Sequence, residues 1–473
     1  MSKKEYPIFD QGLQASDQVA DLLASKLHQF VQPLLHQLDQ QLDCRLVATF
    51  FTLLHTIIKF RDRVNGLLLS ELGGHLLSQR QAPAGTKRIS NLLRSTKWSA
   101  DLIAQFVWQR SDQHLAHLET ELTTPLLIWD ESVIEKPESL ASEGLCAVRS
   151  SKARRLTYPK KGFYQPPKGR IFVPGIQWIG LILVGLAHKS GPLCLAHLKW
   201  WTSRGERASD KRSEEKTLLS QVVARWGRRV VHLWDRGFAG GPWLKEVFSH
   251  SDQVRFVLRW PRAYKLLGFD EAVGVDIREA ALARYDLAAW RHFQGKRNQA
   301  HYQLWDNRRH CYRTVGVVWK EIRHREHPDQ RLWLVASRPG SGLEPWYLLT
   351  NEPVYEARQA WQIVLSYGRR WQIETSWRYA KSELGFESPR LWQWENREKL
   401  LWIATLAFSF LLSLVQESQH KGNGMVEWLE RNWCHRTGKH LREVKLPLYR
   451  LRQAVSQLWS AHRPAWSSFQ TSG

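Results

Sequence analysis

At Thr124 the apolar rhythm of this chain changes from helical to extended, and near Tyr355 it changes back. Before Thr124, from residue 13 to about 118, apolar residues recur at spacings of three and four, as in LVATFFTLLHTIIKF, a pattern for helices packed on one another. After it come short apolar runs of strand type: TPLLIWDES, IQWIGLILVGL, PLCLAHLKWW, RRVVHLWDRGF and QVRFVLRW. The amphipathic segment SDKRSEEKTLLSQVVARWG lies between the third and fourth. An order of β-β-β-α-β-α-β predicts an α/β fold, a mixed sheet covered by helices. HYQLWD, YRTVGVVWKEI, RLWLVASRPG and EPWYLLTNEPV then form a β-rich segment to about residue 353. Helical pattern runs from Tyr355 to about Leu384, and the Trp-rich remainder is helical with a linker at HKGNG. The divisions expected are a helical region over 1–118, a core over 119–258, a β-rich insertion over 259–353, a core helix within 354–390 and a helical region over 391–473.

Charge narrows the partner. The 473 residues carry 68 Lys+Arg against 45 Asp+Glu, a net charge of +23, and a folded chain so basic favours a polyanion. In TKRISNLLRSTKWSADLIAQFVWQR two short helices flank a turn, with Ser99 as N-cap of the second and Lys87, Arg88, Arg94 and Lys97 beside it. That unit reads either as a DNA-docking element or as a bundle with a solvated basic face. Basic and aromatic residues also interleave in a loop over 143–170. Five scattered cysteines form no CxxC pair, which fits a reducing cytoplasm. The apolar run Leu400–Val415 is short for a bilayer span and reads as a buried helix, so no membrane partner is expected. HExxH, the GxxxxGK[ST] phosphate loop and GxGxxG are absent, which sets aside zinc peptidases and nucleotide-driven motors.

Two of the strands end in an acid, Asp130 in WDES and Asp235 in WDRGF. Strand-end aspartates are commonly turn residues or helix caps. If these two strands are parallel neighbours, however, both carboxylates emerge at one edge of the sheet. In YGRRWQIETSWRYAK, Tyr367, Arg370, Glu374 and Lys381 fall within roughly 60° of one another on a helix, at about 100° per residue. A stripe of one carboxylate with Arg, Lys and a phenol suits a phosphodiester, the acid holding metal and the cations holding phosphate oxygens. It equally describes a solvated stripe of local ion pairs.

The Tyr-x2-Arg-x3-Glu-x6-Lys spacing, after Trp-Asp-Arg-Gly-Phe and an earlier strand-end Asp, closely resembles DDE transposases of bacterial insertion sequences, in the group with the YREK signature. The resemblance covers about residues 120–390 and implies a ribonuclease-H-like five-stranded mixed sheet, its last helix set off by a β-rich insertion. It implies that Asp130, Asp235 and Glu374 are catalytic and hold two Mg²⁺ ions, with Mn²⁺ able to substitute. It also implies that Tyr367, Arg370 and Lys381, with Arg236, grip DNA near a flipped base on which Trp346 stacks. Without the resemblance Trp346 is one of many core tryptophans. Where the family often has Asp-x-Thr, this chain has Asp130-Glu131-Ser132. Alternation along the strand points Asp130 and Glu131 to opposite faces and favours Asp130 as the ligand.

The implied reaction is cut-and-paste transposition. Water nicks each element end, the freed 3′-OH closes a hairpin, a second water opens it, and the 3′-OH joins target DNA. Two ions about 3.5–4 Å apart would serve every displacement. The implied partners are double-stranded DNA, as terminal inverted repeats and target, and a second copy of the chain when DNA-bound, with the C-terminal helices as the dimer contact. No nucleotide cofactor is expected, and the location implied is the bacterial cytoplasm, at the nucleoid. Two alternatives remain: a nuclease of the same fold without strand transfer, and a catalytically silent transposase-derived DNA-binding protein.

Overall fold

Strand β1 (Pro125–Glu135) is the centre around which the rest assembles. A computed structural model describes residues 12–136, 141–152, 169–186, 194–268, 288–293, 298–306, 310–340, 343–421, 424–434 and 448–464. On one side β1 pairs antiparallel with the long β3 (Phe172–Gly185), whose far edge takes the short β2 (Cys146–Arg149) and β4 (Cys194–Trp201), both antiparallel. On the other side lie β5 (Val231–Trp234) and β6 (Arg255–Arg259), each parallel to the strand before it. The parallel pairs need crossovers. Helix α6 (Lys211–Trp226) precedes β5, and α7 (Gly241–Ser249) connects β5 to β6.

The sheet does not stop at five strands, as the resemblance implied. Edge strand β6 would expose a row of unpaired backbone groups, and the β-rich segment covers it. Strand β11 (Trp346–Thr350) pairs antiparallel with β6, followed by β10 (His327–Ser337), β9 (Cys311–His324), and β7 (Leu267–Gly268) and β8 (Asn298–Asp306) on β9. Among the described residues this makes one mixed sheet of eleven strands. The β-rich segment is therefore an extension of the core sheet.

Alternation along β1 assigns its two faces. Leu126 and Ile128 join a core with Val231, Leu233, Trp178 and Trp377, whereas Leu127 and Trp129 join another with Trp234, Phe256, Leu218 and Trp243. Tryptophan supplies much of both, with Trp129, Trp178, Trp226, Trp234, Trp243 and Trp260 fully buried. Burying one such ring removes about 150–250 Å² from water, roughly 4–6 kcal/mol before entropy is counted.

The flanking helices close over the first face as one body. They are α1 (Gly12–Asp39), α2 (Cys44–Lys59), α3 (Leu69–Leu76), α4 (Ala82–Arg94) and α5 (Ala100–Thr120), with α10 (Trp394–Lys421), α11 (Gly424–Asn432) and α12 (Leu448–Ala461) from the C-terminal end. Buried Arg452 donates to the carbonyls of Ile57 and Phe60, Trp459 Nε1 donates to Ala20 O at 3.1 Å, and Lys399 donates to Ser95 O at 2.8 Å. The C-terminal helices thus spend their apolar faces on the N-terminal ones within the same chain. Helix α10 is long and apolar enough to cross a membrane by length and composition, yet most of its apolar window is buried inside the molecule. Residues 422–423 of the expected linker lie outside the described residues, with helix on either side.

Ser99 does stand at the N-cap of α5, but its hydroxyl makes no cap bond and instead donates to Asp101 Oδ2 at 3.2 Å. The hydroxyl turns toward the first-turn acid as a donor rather than toward the orphan backbone N–H as an acceptor.

Candidate active site

Asp130 lies midway along β1 and does not close it as expected, because pairing with β3 continues to Glu135. Register with β5 still brings it level with Asp235. Ile128 pairs with Leu233 across the parallel β1 and β5, so two residues further along both strands Asp130 stands level with Asp235. Both emerge on the face of Leu126, Ile128 and Leu233. Strand β5 ends at Trp234, and Asp235 starts a tight turn in which its Oδ1 accepts from Gly237 N at 2.7 Å. A Cβ on Gly237 would lie only 2.9 Å from that oxygen, which gives the glycine of WDRGF its reason. Arg236 is exposed in this turn.

Glu374 arrives from a helix pressed onto the same face. Gly180 of β3 is the antiparallel partner of Asp130, and a Cβ there would collide with the Trp377 ring. Its absence lets Trp377 settle against Trp178, ring centroids 4.5 Å apart, and so lays α9 (Trp371–Ser382) directly over β1. Glu374, in the first turn of α9, then faces Asp130.

The continuous helix expected from Tyr355 to Leu384 is two helices. Helix α8 (Ala357–Gly368) ends at its glycine, and i→i−3 bonds from Arg369, Arg370 and Gln372 tighten the backbone before α9. Glycine is a poor helix former, and the tighter turn re-aims the second helix. Tyr367 therefore closes one helix while Arg370 caps the next. The arginine reaches two acids, donating to Glu374 Oε1 and standing 3.7 Å from Asp130 Oδ1.

Three carboxylates thus gather on one face of the sheet where β5 ends, with a guanidinium against two of them. Burial pushes the Asp130 carboxyl up to about 7; Arg370 opposes this, while Asp235, Glu374 and Glu131 reinforce it. Lys381 lies within electrostatic reach of Asp130, its ammonium pulled down by burial and held up by Glu387, Glu135 and Asp130. Asp130, Ser132, Glu374, Trp377, Arg378 and Lys381 line a cleft of about 440 Å³, with Lys152 and Arg63 at its margin.

Trp346, at the start of β11, stands edge-on to Tyr367 with ring centroids 5.0 Å apart. Tyr367 is buried, and that burial raises its hydroxyl against the pull of Arg370 and Arg259. Of the candidate residues, Asp130, Glu374 and Lys381 line the cleft, and Arg370 stands against two of these acids. Trp346 meets Tyr367, and Arg236 is exposed in the Asp235 turn. Of the basic loop, residues 153–168 lie outside the described residues. Arg259, Arg378 and Arg63 were not anticipated, since each sits in a segment whose pattern is that of an ordinary strand, helix or loop.

Glu131 points to the opposite face, as alternation requires. Lys211 donates to its Oε2 at 2.5 Å, and fully buried Glu215 of α6 accepts from Arg212 at 2.7 Å. Burial, and then the Glu131 carboxyl hydrogen-bonded to it, push Glu215 upward. Sequence reading passed over Glu215, although it lies on the apolar stripe of Leu218, Leu219 and Val222, at three, four and seven residues' distance.

The donor set suits a hard divalent cation: three carboxylates carry only oxygen donors, and their charge exceeds that of the one guanidinium beside them. No family model matches this chain. Among solved structures, a piggyBac transposase synaptic complex with hairpin DNA, from cryo-electron microscopy, is similar at a TM-score of 0.39 and 13% identity, over 96% of this chain and 81% of that one. A likeness that weak establishes neither a shared fold nor a shared activity.

Proposed function

We propose that this chain is a DDE transposase of the ribonuclease-H-like class, cutting element ends and joining them to target DNA. The observation that carries the reading is the level placement of Asp130 and Asp235 on parallel neighbours, with Arg370 tying Asp130 to Glu374. The strand order β4-β3-β1-β5-β6, with β3 antiparallel and β5 and β6 parallel to β1, supports the fold class, β7–β11 being the insertion and β2 a short addition on β3.

Asp130, Asp235 and Glu374 would hold divalent metal, Mg²⁺ or Mn²⁺, which supplies an activated attacking oxygen and charge stabilisation at the leaving oxygen. The chain's own residues do the rest. Asp130, buried and with its carboxyl raised to about 7, is the acid that would give up a proton if a cation were held there. Arg370 holds the acids in register and turns to the scissile phosphate as DNA enters, because a guanidinium fork matches phosphate oxygens in the same way as carboxylate oxygens. Lys381 offers a second cation along the cleft, and Arg236 a third at the Asp235 turn. Trp346, braced edge-on by Tyr367, presents a ring for an extruded base. The positive surplus of the chain supplies binding to the DNA backbone, and two ends reacting together call for two copies of the chain.

The experiment is an end-cleavage and strand-transfer assay with Mg²⁺, on duplexes carrying the inverted repeats that flank the coding region. Nicked, hairpin and joined products are expected in sequence. Cleavage without joining of pre-cut ends would make it a nuclease, and binding without any cleavage would make it a silent DNA-binding protein.

A further inference from the structure

Away from the carboxylate cleft, the turn between β9 and β10 gathers two histidines and a glutamate. His324 ends β9 and His327 opens β10 as its cross-strand partner, so Arg325 and Glu326 alone form the turn. The two rings lie alongside each other at 5.6 Å, and one ligand atom from each of His324, Glu326 and His327 falls within 4.8 Å of the others. From this geometry we propose a Zn²⁺ site formed by His324, His327 and Glu326 across the β9–β10 turn, beside the start of α7.

The hydrogen bonds set His327 for coordination, while His324 must release one. His324 Nδ1 accepts from Glu326 N at a long 3.3 Å, a bond given up if that nitrogen takes the ion and kept if Nε2 does after losing its proton. The Gly241 carbonyl can only accept, so His327 Nε2, 3.4 Å away, is the protonated nitrogen, which leaves a lone pair on Nδ1. A ligating histidine whose other N–H is held by a backbone carbonyl is the usual arrangement around bound zinc. Two imidazoles with one carboxylate favour Zn²⁺ over Mg²⁺ and leave a fourth position for water.

Ligand atoms around tetrahedral Zn²⁺ stand about 3.3 Å apart. Closing from 4.8 Å takes a modest rotation of Glu326, which is exposed, while buried His324 stays fixed. The hairpin is already seated on α7: a Cβ at Gly241 would collide with the Glu326 carboxylate, and the His327 ring packs against Phe248 at 5.1 Å. Because α7 follows directly on the Asp235 turn, an ion that stiffens this hairpin would also steady, through the His327–Gly241 contact, the surface against which that stretch of chain rests. The site stands whether or not the cleft is a transposase centre.

The test is a Zn²⁺ titration of the full chain, stripped of metal, in excess Mg²⁺ to occupy all-oxygen sites. The unaltered protein should take up one Zn²⁺ at micromolar or lower free concentration, with a rise in Tm. H324N/H327N should bind at least about tenfold more weakly, and E326Q should fall between. Equal affinity in H324N/H327N, or no uptake by the unaltered chain, would overturn the site. Should the double variant fail to fold, Co²⁺ decides on the unaltered protein: intense four-coordinate visible absorption supports the site, and a weak six-coordinate spectrum refutes it.

Discussion

Adjacent residues of one strand, Asp130 and Glu131, live in opposite electrostatic worlds. Glu131 and Glu215, hydrogen-bonded to each other with a proton between them, face Lys211 and Arg212, so no surplus negative charge is left inside the molecule. Asp130 shares its face with Asp235 and Glu374, and Arg370 lies against two of the three. The first cluster completes itself, whereas the second carries surplus negative charge at the edge of an open cleft. Burial and like charge work against that second arrangement, and a fold keeps such a site where something else is to be bound there.

The largest expected contrast is in catalysis. Asp235→Ala should lower end cleavage by at least about a thousandfold with DNA binding near normal, measured by gel assay and filter binding. Glu215→Ala should do the reverse, destabilising the fold by about 2–3 kcal/mol in urea unfolding while folded protein retains most of its cleavage activity. Loss of a buried ion partner costs more, but Lys211 and Arg212 are more than a third exposed and water screens them.

Stability against pH sharpens the comparison further. The Asp130 carboxyl is raised in the folded state from an ordinary 3.8 to about 7. Its contribution is therefore present below pH 4 and lost as pH rises through about 7. Asp130→Asn should exceed the unaltered protein in stability by roughly 2 kcal/mol at pH 8 without divalent metal, the gap closing toward pH 4. Mg²⁺ should raise the Tm of the unaltered chain and leave that of Asp130→Asn unchanged. Trp346→Ala should slow hairpin formation about tenfold while end binding holds, since stacking is worth about 1–3 kcal/mol per base. The smallest effect belongs to Ser99→Ala, which removes no cap bond and should cost under about 0.5 kcal/mol.

Much of this contrast was legible in the sequence because strand alternation is strict. A period of two sends Asp130 and Glu131 to opposite faces whatever packs there, whereas the continuation of β1 past Asp130 to Glu135 was hidden by its polar residues. The reach of the sheet was not legible: whether a β-rich segment stands apart or pairs with edge strand β6 is decided by backbone hydrogen bonds that carry no side-chain signature. The break after Gly368 was missed because the polar stripe of Tyr367, Arg370, Glu374 and Lys381 satisfies helical spacing straight through it. Ser99 shows the same limit on a smaller scale, since its position was readable and the competition from Asp101 was not. Gly180 carries no signature in the sequence pattern, and only packing reveals that Trp377 needs the space.

The most direct test of the three-acid centre is Mn²⁺ binding followed by electron paramagnetic resonance on the full chain with duplex DNA. The account predicts two bound ions for the unaltered protein, with binding sharply weakened in each of Asp130→Ala, Asp235→Ala and Glu374→Ala and preserved in Glu215→Ala. Undiminished Mn²⁺ binding in all three cleft variants would contradict it.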